Sequence, residues 1–198
     1  MDLAALLAVF PWEGTAVVLA IAYLLLAARE HSACWICALL STAIYTVLFW
    51  NVSLLMESAL NAYYLLMAVY GWLQWRYGGA AHAGVRIQRW SAARHVVVIA
   101  GVMLLAGFSG YLLGHNSTAA WPYVDSFTTW GAVVATVMVA HKVLENWIYW
   151  FVIDLVSIPL YVDRGLMLTA WLFVAYLVIV VFGFRAWLRE YRAHGVVG

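Results

Sequence analysis

Apolar runs divide the chain into seven segments, Thr15–Ala28, Ala33–Trp50, Leu54–Trp75, Arg94–Leu113, Asp125–Lys142, Glu145–Val162 and Leu166–Trp187. A helix needs about 20 apolar residues to cross a bilayer, and the seven segments predict seven transmembrane helices. The first is short, and Ala4–Phe10 with Pro11 forms a lead-in that can extend it. Connections are short except Arg76–Ser91 and Gly114–Val124. The predicted fold is therefore an all-α integral membrane protein with no room for a soluble catalytic domain.

Composition agrees: 67% of residues are hydrophobic and 10% charged, against about 25% charged in soluble domains. A net charge of +1 supplies no basic face for nucleic acid. Met1-Asp2 lacks the positive region that opens a signal peptide. Charge placement changes the picture further. With the N-terminus outside, all of the ten lysines and arginines except Arg164 fall on the inner side, which predicts N-out, C-in. Trp72, Trp75 and Trp187 would then lie in the inner aromatic belt.

Shifting the chain by 112 residues lays 13–75 on 125–187 without a gap. Trp35 falls on Trp147, Leu48 on Leu160, Tyr64 on Tyr176, Gly71 on Gly183 and Trp75 on Trp187. The reading is one transmembrane domain over 1–198. Residues 12–76 form the first three-helix repeat, 77–123 a linker with the fourth helix, and 124–198 the second repeat and tail. Units four crossings apart share an orientation, giving two parallel repeats in a 3+1+3 arrangement. Repeats of this kind place a substrate site at their interface near the midplane and point to transport.

The sixth segment carries the chemistry. Asp154 lies about nine residues in, a depth of roughly 13 Å and close to the bilayer midplane. A carboxylate there costs at least ~2.5 kcal/mol unless it faces protein or water. Trp147, Trp150, Asp154, Ser157 and Tyr161 share one helix face, while Ile148, Phe151, Leu155 and Ile158 face elsewhere. Aromatic walls with a few polar groups suit a small, flat, polar ring. The blander account makes Trp147 a belt residue and Asp154 a cap for a partner helix. On the third segment Glu57, Asn61, Tyr64 and Ala68 share a face, and Glu57 is near enough to the outer surface to be a rim carboxylate. Ser41, Thr42 and Tyr45 of the second segment are further candidates. Thr42 is the repeat partner of Asp154, although such hydroxyls commonly bond their own backbone.

Other features carry less. Cys34-x-x-Cys37 sits in an apolar run and reads as packing, and no His/Cys/carboxylate cluster has metal-ligand spacing. No cofactor is expected. His141, Lys142 and Glu145 read as an inner gate or, more simply, an ion pair at a helix junction. Pro159 frees a carbonyl near Leu155 and can kink the helix beside the acid. No phosphate loop is present, which predicts a facilitator rather than a pump.

The run D-S-x14-H-K-x2-E-N-W-x2-W-x3-D-x2-S, Asp125 to Ser157, resembles the signature of PnuC-type vitamin transporters. N-A-Y-Y-L-L-M-A-V-Y-G-W, Asn61 to Trp72, resembles their third helix, and the likeness extends from Trp12 to Trp187. The resemblance implies a 3+1+3 fold like two joined SWEET-type bundles in an inner membrane. It also implies inward facilitated diffusion of a vitamin precursor, with a cytoplasmic kinase trapping it. Asn61 matches a substrate-contacting position, as do Asn146, Trp147 and Trp150. Position 154 is Asn in some nicotinamide riboside carriers of the family and Asp in this chain. Nicotinamide riboside is the first expectation, with thiamine or riboflavin as alternatives. The expected partners are the vitamin, the lipid bilayer and the kinase, and a homo-oligomer is compatible with the chain. A retinal protein is excluded, because the only lysine, Lys142, is not in the last segment. An intramembrane enzyme is disfavoured, since no paired midplane acids appear. A sugar carrier fits two indoles and an acid less well than a cationic ring does.

Overall fold

A computed structural model describes residues 3–51, 55–79, 82–116, 121–163 and 167–195. They form α1 (Leu3–Ala28), α2 (Cys34–Asn51), α3 (Leu55–Tyr77), α4 (Ala92–Asn116), α5 (Pro122–Ala140), α6 (Asn146–Asp163) and α7 (Met167–Gly195). Each predicted segment has its helix. The largest shifts are at the two ends of the chain. α1 begins at Leu3 and runs through Pro11, and α7 continues beyond Trp187, because Arg, Leu, Glu and Ala are strong helix formers whether or not lipid surrounds them. Pro159 stays inside α6.

The chain divides into two compact units, Met1–Arg86 and Ile87–Gly198. In the first, α1 packs on α2 and α2 on α3. In the second, α4, α5, α6 and α7 pack in succession, so α4 belongs with the helices that follow it. Trp130 Nε1–H donates to Ser109 Oγ at 3.1 Å, and Trp121 Nε1–H to Asp163 Oδ2 at 2.8 Å. These bonds tie α5 to α4 and to the far end of α6.

Each unit is closed around the same device. Trp35 lies over Gly71 and meets Trp75 edge-on, with ring centroids 5.5 Å apart at 88°. Trp147 lies over Gly183 and meets Trp187 edge-on, at 5.4 Å and 90°. All four indoles are buried. Trp75 and Trp187 are therefore core residues, not the belt residues their position near a helix end suggests. A missing Cβ is what lets a ring seat flat on the neighbouring helix.

The turns before α2 and α6 also share their two closing bonds. His31 N–H donates to Leu26 O and Glu30 N–H to Ala27 O; 112 residues on, Val143 N–H donates to Met138 O and Lys142 N–H to Val139 O. These are Schellman endings, whose turning residue adopts the left-handed region usually given to glycine. Glu30 (φ 55°) and Lys142 (φ 49°) hold that place instead, and this explains why α5 stops at Ala140. Glycine avoids the left-handed cost of roughly 1–2 kcal/mol, less what it loses in unfolded-chain entropy. Glu30→Gly and Lys142→Gly should each raise stability by about 0.5–1 kcal/mol in thermal melts. A lower melting temperature in both would show that the side chains outweigh the backbone.

The surface is that of a membrane protein. Leu66, Val97, Leu104, Phe108 and Trp171 are exposed, while the buried set is rich in Ala, Gly and Ser. Lipid accepts the large apolar groups, so small residues gather where helices must approach closely. Among the described residues, three helical stretches are long and apolar enough to cross a membrane on their own: Ala92–His115, Pro122–Ala140 and Ala170–Ala193.

Candidate functional site

The start of α6 is held from behind by a strap. Gln88 N–H donates to Lys142 O at 3.0 Å, and Leu144 N–H donates to Gln88 O at 2.8 Å. Gln88 Nε2 adds a bond to His141 O at 2.9 Å. Glu145 locks this crossing: its Oε1 accepts from Arg89 Nε at 2.7 Å and its Oε2 from the Trp90 N–H at 3.4 Å. His95 Nε2 lies 3.8 Å from the same carboxylate, and His95 Nδ1 meets Tyr149 OH at 2.9 Å. The ion pair expected at this junction exists, but Arg89 supplies the cation, and Glu145 is 8% exposed. Arg89, Trp90 and His95 carried no local signal, because they lie fifty or more residues from Glu145 in sequence. Burial, and then the nearby Arg94, hold the His141 imidazole below its usual value.

Asn146 opens the helix fully buried, with Nδ2 donating to Val143 O at 2.7 Å and Oδ1 left without a partner. The face read from sequence is the packed one. Trp147, Asp154 and Ser157 are buried and Trp150 and Tyr161 half-buried, while Ile148, Phe151 and Leu155 are exposed. Trp147 spends its ring on Gly183 and Trp187, with Nε1 unpartnered. Ser157 Oγ donates to its own helix at Ile153 O, 2.8 Å away. Tyr161 stacks on Phe173, which meets Tyr176.

Asp154 is different. It is 4% exposed, yet it has neither a hydrogen bond nor an ion pair among the described residues. A buried carboxylate is costly unless something compensates it, and none of the described residues does.

In the first unit the polar candidates divide. Thr42 Oγ1 donates to Ala38 O at 2.8 Å, within its own helix, and Ser41 Oγ donates across to Ala16 O on α1 at 2.8 Å. Both hydroxyls serve the backbone. Asn61 and Tyr64 are half-buried on one face of α3, and Tyr64 lies against Tyr63 with centroids 5.6 Å apart. The side chain of Glu57 lies outside the described residues.

A family model described as nicotinamide mononucleotide transporter matches residues 11–189. The chain belongs to that family. It is similar to the riboflavin/roseoflavin transporter RibM of Streptomyces davaonensis, with 30% identity over 138 residues, 67% of this chain and 64% of RibM. The match thus spans a little under two thirds of that relative. It is also similar to the nicotinamide riboside transporter PnuC of Escherichia coli, with 20% identity over 86% of this chain and 82% of PnuC. The crystal structure of the vitamin B3 transporter PnuC shares its fold, with a TM-score of 0.71 and 21% identity over 92% of this chain and 83% of the other. The chain is a multi-pass membrane protein, and the family and the solved neighbour it matches are described as transporters. In that setting a buried acid on the same helix face as two indoles is a candidate ligand-binding group: it can hold a cationic ring or accept from ribose hydroxyls.

Proposed function

We propose that the protein carries a vitamin precursor, nicotinamide riboside first, inward across a bacterial inner membrane by facilitated diffusion. A cytoplasmic vitamin kinase then traps the product. The observation that carries the substrate is Asp154, a buried acid with no partner of its own, in a chain akin to PnuC. A pyridinium ring brings the missing positive charge. Trp150, half-buried on the same face, supplies a stacking surface, and Asn146 Oδ1 a free acceptor. Trp147 and Ser157 set the shape of the α6 face, and Asn61 and Tyr64 are the polar candidates on α3 of the other unit. Thr42 and Glu57 are further candidates from the first unit. No cofactor takes part.

The reading includes the 3+1+3 arrangement of two parallel repeats, supported by the matched Trp–Gly–Trp devices and matched turns. It also includes an outer N-terminus and inner C-terminus, supported by the positive-inside count. A C-terminal reporter active only outside the cytoplasm would reverse that orientation.

A second reading has a specific observation behind it. The similarity to RibM favours riboflavin, a neutral flavin that the same indoles could stack. Thiamine, a cation, is the remaining alternative.

The test is a binding panel of nicotinamide riboside, thiamine and riboflavin on purified protein, with uptake into proteoliposomes that lack a kinase. Nicotinamide riboside should bind and equilibrate without accumulating. Absence of binding by all three sinks the vitamin reading, and accumulation driven by a proton gradient sinks facilitated diffusion. Trp150→Ala should weaken binding about tenfold, since a desolvated cation–indole contact contributes on the order of 1–2 kcal/mol. Trp150→Phe should lose much less. Equal affinity for Ala and wild type would make the indole a packing residue.

A further inference from the structure

The inner-sequence end of α7 carries a feature that vitamin transport does not use. Arg185, Arg189 and Arg192 follow one another at helical spacing and, with Phe182 and Leu188, line a groove of about 450 Å³. All three arginines are exposed. None has an ion pair or hydrogen bond among the described residues. The packed stripe of this helix is Val180, Gly183 and Trp187. At 100° per residue the arginines lie on the opposite side, turned away from α6. That side of a transmembrane helix faces lipid. Glu190, the acid within this stretch, has an interaction of its own and lies about 100° round the helix from Arg189.

Depth completes the picture. The apolar span in this helix is Ala170–Ala193, so Arg189 and Arg192 sit in its last turns near the headgroups, and Arg185, roughly 12 Å before its end, reaches toward them along its flexible side chain. Phe182, 63% exposed, lies one turn deeper, at the level of acyl chains. Guanidinium groups bind phosphate oxygens in bidentate fashion, and clustered arginines at a membrane surface attract anionic lipids. We propose that this face of α7 binds the headgroup of an anionic phospholipid, with Phe182 against an acyl chain. A second copy of the chain is a poorer occupant by charge, since a symmetric contact would set arginine against arginine. The proposal does not depend on which vitamin is carried.

The experiment is native mass spectrometry of the full chain in a neutral detergent, with phosphatidylglycerol, cardiolipin, phosphatidylcholine or inorganic phosphate added. Retained anionic lipid should exceed phosphatidylcholine at least about fivefold. The triple change Arg185→Gln, Arg189→Gln, Arg192→Gln should remove that excess while leaving vitamin affinity unchanged. Because removing three charges can also disturb insertion, Arg189→Glu alone is the second variant, expected to lower retained anionic lipid several-fold. Equal retention of both lipid classes by wild type, or unchanged retention by Arg189→Glu, overturns the proposal. So does free phosphate binding as well as the lipid does, or a dimer that excludes lipid. Loss of vitamin binding with lipid retention intact would instead bear on the transport reading.

Discussion

A single methyl group added at Gly183 lowers the melting temperature, while the same addition at Gly101 does not. A Cβ built on Gly183 falls 2.5 Å from the Trp147 ring, and one on Gly71 falls 2.3 Å from the Trp35 ring. No real Cβ tolerates such a contact, and an indole wedged edge-on against a second buried indole has nowhere to retreat. Overpacking of this sort costs roughly 1–3 kcal/mol, which for a chain of this size corresponds to about 2–12 °C. At Gly101 nothing lies within 4 Å, so alanine should be neutral or, by helix propensity, stabilising by up to about 1 kcal/mol. The contacting atoms of Trp147 belong to its six-membered ring, which phenylalanine does not extend as far. Gly183→Ala should therefore cost less on a Trp147→Phe background. An equal cost on both backgrounds would separate the glycine from the indole and remove the device from the account of the fold.

The second large effect is at Asp154, and it falls on selectivity. Asp154→Asn keeps the volume and removes the charge. For a cationic vitamin, nicotinamide riboside or thiamine, affinity should drop about tenfold or more, the scale of a lost charge-assisted contact of about 1.5–3 kcal/mol. A neutral flavin should lose little. Because the acid is buried with no partner among the described residues, the variant should melt no lower than wild type, and uncharged burial can raise the melting point. Melting temperature and affinity for each vitamin would be measured on the same preparation. Reduced stability with unchanged relative affinities would make Asp154 a structural group, and the substrate would have to be sought around Asn61 and Tyr64.

Much of this protein is written at short range. A helix in lipid must bond its own backbone, so apolar length alone marks the segments, and seven helices stand where seven runs were read. Position along a single helix is equally local: the spacing of Trp147, Trp150, Asp154 and Ser157 puts them on one face whatever surrounds it. Gapless alignment of Trp35 with Trp147 and of Gly71 with Gly183 showed that the two halves repeat. Spacing cannot say which polar groups are already satisfied. Only packing showed that Ser41, Thr42 and Ser157 donate their hydroxyls to carbonyls and that Asp154 meets no donor among the described residues. Only packing moved Trp75 and Trp187 from the membrane belt into the core, because a glycine one turn earlier on the same helix lets an indole from another helix in beneath them. The partner of Glu145 was also beyond reach of the sequence. Arg89 is brought to it by a backbone bridge between segments far apart in the chain, and hydrogen bonds between distant loops leave no periodic trace along either one.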